Sequence, residues 1–262
     1  MDIAFFSSLF VLGLFGGFLS GLLGIGGGII MVPLLLYAPP LLGVGALGMK
    51  TVAGITSVQS FFGAVSGAFG HKRYNRINTS LALYMGGSMA AASLAGSFLS
   101  VYISANLMLT VFAGMAIVAA AMMFVPKPES DSEIDVSELK FNKPLAILTG
   151  MSIGVLSGII GQGGAFLFIP VMMFVLKIPT RIAIGTALVI GIASSLAVLI
   201  GRMGTNQIPY LMSVVLVAGV LLGAQLGSEV SQKTPKKVLQ RLLAVLITAT
   251  ALKMWYEIAV FG

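Results

Sequence analysis

The chain contains two copies of one unit, offset from each other by 137 residues. Residues 13–33 (GLFGGFLSGLLGIGGGIIMVP) align without a gap with residues 150–170 (GMSIGVLSGIIGQGGAFLFIP), and nine of the pairs are identical. The register continues further, where Ser57 pairs with Ser194. In each copy a glycine cluster interrupts an apolar segment. In a membrane protein, paired glycine-interrupted segments at equivalent places in two halves are the best sequence indication of a substrate site.

The composition is that of a membrane-embedded protein. Hydrophobic residues make up 58% of the chain and charged residues 9%, against about 45–50% and about 25% in soluble domains. No charged side chain occurs from residue 80 to residue 125. The sequence therefore predicts an all-α polytopic, multi-pass membrane protein with the lipid bilayer as its surroundings.

Ten apolar segments are candidates for helices that enter the bilayer. A helix needs roughly 20 residues to cross it completely. Two of them are short, and each follows a glycine cluster, so each is expected to span or to form one limb of a re-entrant hairpin. The segments lie near residues 3–23, 29–38, 46–69, 80–101, 107–125, 144–160, 166–176, 182–201, 210–228 and 238–258.

The basic residues distinguish two possible arrangements of the repeats. An odd number of crossings per unit inverts the second unit, and 12 of the 15 Lys and Arg residues then lie on one side of the membrane. Four crossings per unit keep the units parallel and split the same residues 8 to 7. Because cytoplasmic loops carry an excess of basic residues, the sequence predicts two inverted-topology repeats, each with a glycine-broken helix pair plus three spanning helices.

The expected domains are two transmembrane repeats, at residues 1–125 and 144–262, joined by a linker at 126–143. The linker region holds five of the eight acidic residues of the chain. We expect this acidic, polar linker to be a solvated cytoplasmic spacer without chemistry of its own.

The two glycine clusters predict breaks in the helices. We call residues 24–28 (GIGGG) the first break and residues 161–164 (GQGG) the second break. The helix that follows each break presents unpaired N–H groups and about half a positive charge at its start, which suits an anion. Two such starts meeting across a pseudo-two-fold axis form a cradle for an anion. The flanking side chains expected to add hydrogen-bond donors are Ser20, Ser157 and Gln162.

Other glycines recur every fourth residue, at 13–21 and at 150–158, and this spacing favours close helix packing. The same spacing at 219–227 fits either a homodimer interface or packing within the chain.

A second polar group lies on the helix after each break. Ser57 and Ser194 are repeat-equivalent, and serines in membrane helices often bond back to the preceding turn. Lys50 is either a ligand, since intramembrane charges are often functional, or a cation that extends to the interface. Thr186 is a further candidate, whereas Arg202, at a helix end, is expected to anchor at the interface.

The sequence lacks the residues that enzymes, proton relays and metal sites usually use. The chain has no cysteine, and no carboxylate lies in the middle of a predicted span, as proton relays and membrane cation sites usually require. No nucleophile–base pair or metal-ligand spacing is visible. We therefore expect no enzyme, no metal and no cofactor, and we attribute the pI of about 9.8 to basic membrane-surface loops rather than to nucleic-acid binding.

The segments GLLGIGGGIIMVPLLL in the first half and SGIIGQGGAFLFIPVMM with AIGTAL in the second resemble the TauE/SafE family of membrane permeases. The resemblance covers nearly the whole chain and implies movement of sulfite or small organosulfonates across the inner membrane. The first half departs from the pattern at residues 48–51 (GMKT), where the second half has GTAL.

From the residues alone, the prediction is a transporter of a small anion. The leading hypothesis is a secondary carrier with the anion near the midplane. The alternatives are an anion channel, a permease of another small anion such as sulfate, thiosulfate or a carboxylate, and a membrane enzyme or scaffold. The substrate-binding residues that this interpretation names are Ser20, Gly26, Gly27, Gly28, Lys50, Ser57, Ser157, Gln162, Gly163, Gly164, Thr186 and Ser194.

Overall fold

The computed structural model describes residues 3–23, 28–70, 77–124, 136, 139–162, 164–234, 238, 242, 245 and 248–256, and the elements in this part of the chain are helical. Residues 248–256 are helical, and nine further helices have defined bounds. They are α1 (Ile3–Leu23), α2 (Gly28–Leu41), α3 (Met49–Gly70), α4 (Thr79–Leu99), α5 (Ala105–Phe124), α6 (Lys143–Ile160), α7 (Ala165–Phe174), α8 (Thr180–Gly204) and α9 (Tyr210–Lys233).

Six helices of the described chain are long and apolar enough to cross a membrane, namely α1, α4, α5, α6, α8 and α9. The two helices after the breaks are shorter, with 14 residues in α2 and 10 in α7. At 1.5 Å per residue they extend about 21 Å and about 15 Å, less than the roughly 30 Å of the hydrocarbon core. The all-helical membrane class is therefore confirmed, and the short segments are short of a full crossing.

Local signals in the sequence explain several helix ends. The side chain of Asn142 caps α6 by accepting the N–H of Leu145 at 3.1 Å, and Pro144 follows it in the first turn, where a proline costs no hydrogen bond. Asn78 caps α4 in the same way, accepting the N–H of Leu81 at 2.7 Å. One π-helical stretch, Ala82–Gly86, interrupts the regular pattern of α4.

The first helix of each half packs along the fourth helix of the other half. In the pair of α1 with α9, a Cβ added to Gly17 would lie 2.7 Å from the Cα of Val220. In the pair of α6 with α4, a Cβ added to Gly154 would lie 2.9 Å from the Cβ of Ala92. Only glycine permits these approaches, so the packing role predicted for the glycines upstream of the breaks is confirmed.

The glycines at 219–227 complete the pair of α1 with α9. A Cβ on Gly219 would lie 2.8 Å from the backbone nitrogen of Leu14, and one on Gly223 the same distance from that of Phe18. This face is therefore used within the chain, which leaves it unavailable for the homodimer contact that the spacing also allowed.

The outward side chains of the spanning helices are apolar. Leu148 and Met151 on α6, and Leu211 and Val214 on α9, are each at least half exposed. Large exposed apolar areas are rare on soluble monomers, and here they suit contact with lipid.

Part of the linker between the repeats packs against the helices. Val136, Leu139 and Phe141 contact the core, and the Nδ2 of Asn78 donates a hydrogen bond to the carbonyl of Val136 at 2.7 Å. At these three residues the linker is not the solvated spacer that we expected. They pack against the helices because doing so removes apolar surface from water.

Candidate substrate site at the glycine breaks

The second break begins with a helix end that requires glycine. Gly161 has a φ of 85°, in the left-handed region, and its N–H donates to the carbonyls of Ser157 and Gly158. The N–H of Gln162 also donates to the carbonyl of Ser157, at 3.0 Å. This double bonding is the Schellman pattern that closes helices at glycine. Gly164, with a φ of 67°, also in the left-handed region, is the N-cap of α7.

The structure brings the second break against the start of α2. The Nε2 of Gln162 donates a hydrogen bond to the carbonyl of Gly28 at 2.9 Å, and both residues are buried. A Cβ on Gly28 would lie 2.8 Å from the side-chain amide carbon of Gln162. The absence of a side chain at Gly28 therefore makes room for Gln162, and the second break lies against the start of α2.

We call the contact of the second break with the start of α2 the junction. Two polar atoms there have no hydrogen-bond partner among the described residues. They are the Oγ of Ser157, which is fully buried, and the Oε1 of Gln162, whose residue is 1% exposed. The hydroxyl of Ser157 lies against Gly164, at the start of α7. Buried polar atoms are normally bonded, so exceptions require an explanation such as a ligand or an unseen water. These atoms sit where the sequence predicts an anion.

Helix α3 supports the second break from the other half of the chain. The Oγ1 of Thr56 donates to the carbonyl of Gly161 at 3.3 Å and to that of Val52 at 2.9 Å. A Cβ on Gly161 would lie 2.8 Å from the carbonyl carbon of Ala53. The backbone of the break is thus packed against α3. Irregular backbone at membrane depth requires such burial in protein, because lipid cannot satisfy its polar groups.

Arg202 binds the end of α6 just before the second break. Its guanidinium donates to the carbonyl of Ile159 at 2.6 Å, to that of Gly158 at 3.3 Å and to the Oε1 of Gln207 at 2.6 Å. The side chain is fully buried. The prediction that Arg202 anchors at the membrane interface is therefore wrong, because its whole guanidinium lies inside the protein.

The profile of the family described as "Sulfite exporter TauE/SafE" matches residues 9–254. The chain belongs to the TauE/SafE family. The matched range includes both breaks and all nine helices in part or in full.

Curated relatives of this TauE/SafE protein are described as membrane transporters. The "Probable membrane transporter protein YdhB" of Bacillus subtilis is 28% identical over 88% of this chain and 91% of its own length. YunE of the same organism is 22% identical over 96% and 98%, and MJ0441 of Methanocaldococcus jannaschii is 24% identical over 94% of both. No solved structure matches the chain. The protein is thus a multi-pass membrane transporter rather than an enzyme.

Some residues predicted for the substrate site of this TauE/SafE transporter lie at the junction of the breaks. Gly28, Ser157, Gln162 and Gly164 meet there. Ser20 is buried one turn before the end of α1. Three further glycines of the prediction lie outside the described residues, namely Gly26, Gly27 and Gly163.

Other predicted residues have different surroundings. The hydroxyls of Ser57 and Ser194 donate back to the carbonyls of Gly54 and Gly191, at 2.7 Å and 3.3 Å. The Oγ1 of Thr186 accepts the N–H of Asn78 at 3.0 Å and so joins the second turn of α8 to the N-cap of α4.

Lys50 is exposed, and its Nζ lies 3.4 Å from the carbonyl of Val101, just after α4. Of its two predicted roles, this exposed position favours the interface cation over the ligand.

The sequence interpretation did not include Thr56 in the proposed site and misassigned Arg202. Both bind backbone carbonyls at the second break from distant points of the chain. Thr56 differs from its repeat equivalent, Ala193, and Arg202 differs from Val65. A search for polar residues present in only one repeat would have singled out both.

Proposed function

We propose that this TauE/SafE protein is a secondary transporter of a small anion, namely sulfite or an organosulfonate, held where the second break contacts the start of α2. The observation that carries this proposal is the hydrogen bond from Gln162 to Gly28, which joins the second break to the start of α2. It supports a single site built from both halves of the chain.

The electrostatics of the junction suit a negative ligand. The first N–H groups of α2 and α7 have no partners within their own helices, and each helix start carries about half a positive charge. The hydroxyl of Ser157 adds a donor beside α7. The Oε1 of Gln162 is an acceptor, so it would bond an O–H group of the ligand or a water that accompanies it.

Alternating access fits the way in which the halves are packed. Helix α1 lies along α9, and α6 lies along α4, so the first helix of each half contacts the fourth helix of the other. This reciprocal packing supports our proposal of two inverted repeats related by a pseudo-two-fold axis. Rocking of one half against the other would expose a midplane site to either side in turn.

The substrate is proposed from the family description and the chemistry of the site together. That description names sulfite, and the printed names of the relatives give no substrate. Sulfite and sulfonates present several oxygen acceptors to N–H and O–H donors, which matches the junction.

Counterflow of labelled sulfite in proteoliposomes tests the proposal. We expect exchange of labelled for unlabelled sulfite, with competition by some of sulfoacetate, sulfate, thiosulfate and a carboxylate. Large unitary currents without counterflow would identify a channel. Failure of every anion to exchange, with folded protein, would remove the anion assignment and leave the fold unchanged.

A further inference from the structure

Arg202 is a buried cation that has no charged acceptor in the described part of the chain. Its three acceptors there are two backbone carbonyls and one amide oxygen, and its Nε has no hydrogen-bond partner. A buried charge is costly unless other groups compensate for it. The complete burial of the Arg202 guanidinium therefore requires a negative group that stabilises its charge.

The end of α6 supplies that reason. The last carbonyls of a helix carry about half a negative charge, and Arg202 binds two of them, in Gly158 and Ile159. In transporters with broken helices, such carbonyl ends typically coordinate the coupling Na⁺ or H⁺, while the helix starts hold the anion. In this chain, a protein cation occupies the carbonyl end.

We propose that Arg202 substitutes for a coupling metal cation at the second break and thereby sets the ion requirement of transport. This inference rests on the proposed function, because it assumes an anion at the junction of the breaks. The guanidinium neutralises the partial negative charge at the end of α6. An anion at the start of α7 is then attracted by the positive helix start and is not repelled by the end of α6. Transport of the anion then needs no Na⁺.

Two further observations support this role. The hydroxyl of Thr56 also lies within hydrogen-bond distance of the carbonyl of Gly161, at 3.3 Å, so protein side chains contact this carbonyl as well as the two that Arg202 binds. The unpartnered hydroxyl of Ser157 belongs to the same last turn of α6 that Arg202 binds. The end of α6, whose negative charge Arg202 neutralises, therefore lies beside the Ser157 hydroxyl that we propose as a donor to the anion.

Gln207 fixes the guanidinium in this position. Its Oε1 accepts from Arg202 and from the hydroxyl of Ser100 at 3.1 Å, and its Nε2 donates to the Oγ1 of Thr205 at 2.7 Å. The cation is thus tethered to the ends of α4 and α8 as well as to α6. The repeat-equivalent position in the first half holds Val65, which carries no charge.

The experiment compares wild type, Arg202→Gln and Arg202→Lys by sulfite counterflow in Na⁺ medium and in choline medium. We expect wild type to exchange equally in both media. Arg202→Gln should lose about tenfold in choline, corresponding to ~1.4 kcal/mol, and should recover partly in Na⁺, which can bind the vacated carbonyls. Arg202→Lys keeps the charge and should remain independent of Na⁺.

Lys253→Gln is the matched control, because it removes one positive charge from an exposed side chain whose Nζ lies over the ring of Tyr37. It should behave as wild type. A strict Na⁺ requirement in wild type would overturn the inference without any variant. So would Arg202→Gln with a wild-type rate in choline, or folded Arg202→Lys that has lost as much activity as Arg202→Gln.

A separate measurement distinguishes failure of the inference from failure of the proposed function. If wild type exchanges no anion, thermal unfolding of the purified proteins still tests Arg202. We expect Na⁺ to raise the Tm of Arg202→Gln but not that of wild type. An equal response of both proteins would show that Arg202 does not occupy a cation position.

Discussion

The glycines of this transporter fall into two groups with different neighbours. Those in the helix pairs, such as Gly17 and Gly154, approach the backbone or Cβ of the facing helix. The second group is Gly28 and Gly164, which approach the polar side chains of Gln162 and Ser157; Gly161, also in a break, instead approaches the backbone of Ala53, as the packing glycines approach backbone. The first group sets the distance between helices, whereas the second leaves room for polar atoms that keep unused hydrogen-bonding capacity.

This difference separates stability from transport. A methyl group added in a helix pair must displace backbone, which the fold resists. A methyl group added at Gly28 meets the end of a flexible side chain, which can move at little cost. Substitutions in the helix pairs should therefore impair folding, and substitutions at the junction should impair transport.

The largest effect is expected for Gly17→Ala. Its Cβ would lie 2.7 Å from the Cα of Val220, so α1 and α9 must separate along their length. Overpacking of this kind costs about 1–3 kcal/mol. We expect a lower Tm and a smaller folded fraction in detergent, measured by thermal unfolding and size-exclusion chromatography.

Gly114→Ala is the control for Gly17→Ala, because a Cβ there meets nothing within 4 Å. The interior of α5 should gain roughly 0.5–1 kcal/mol from alanine. Equal Tm values for the two variants would contradict the packing role of Gly17.

A smaller effect, divided between stability and transport, is expected for Gly164→Ala. Its φ of 67° disfavours alanine by about 1–2 kcal/mol, and the new Cβ would meet the hydroxyl of Ser157. Thermal unfolding and counterflow should both show a loss.

The double variant Gly164→Ala with Ser157→Ala separates the two causes. Removing the hydroxyl relieves the contact but not the backbone strain, so stability should recover only in part. We expect an interaction free energy between the two substitutions of about 0.5–3 kcal/mol in a double-mutant cycle. Strict additivity of the two substitutions would refute the proximity of Ser157 to Gly164.

Much of this fold could be predicted from the sequence, because apolar length and glycine spacing are local signals. The bounds of α1 agree with the expected segment 3–23, and α6 begins one residue before its expected start at 144. The packing role of the upstream glycines was likewise visible in their spacing. Which helix they contact was not, because pairing across the halves depends on tertiary structure.

The site was less predictable for the same reason. Gln162 was named from its place in the break, but its partner Gly28 is 134 residues away in the chain. The burial of Arg202 was missed because its position at the end of α8 resembles that of an interface anchor. Only tertiary packing brings the carbonyls of Gly158 and Ile159 to it.

Gly28→Ala should affect transport without much change in stability. The new methyl group displaces the amide of Gln162 and so breaks its hydrogen bond to the Gly28 carbonyl. We expect the counterflow rate to fall by about tenfold, the effect of ~1.4 kcal/mol, while the Tm stays near that of wild type.

Gln162→Ala provides the comparison for Gly28→Ala. If the glycine acts by making room for Gln162, the two single variants and the double variant should transport equally poorly, since neighbouring residues of one unit are not additive. A double variant that is worse than either single variant by the product of their effects would show that the residues act independently.

The smallest effect is expected for Lys50→Gln. Lys50 is exposed, and its Nζ donates a hydrogen bond to the Val101 carbonyl at 3.4 Å, whereas a ligand of the anion would lie with Gln162 and Ser157. Neutralising it should leave the apparent affinity for sulfite unchanged within about twofold, as for exposed charges that contribute little. A loss of tenfold or more in competition counterflow, with the Tm preserved, would instead place Lys50 on the path of the anion. The protein would then have a second, more exposed binding position for the anion, apart from the one that the glycines of the breaks form.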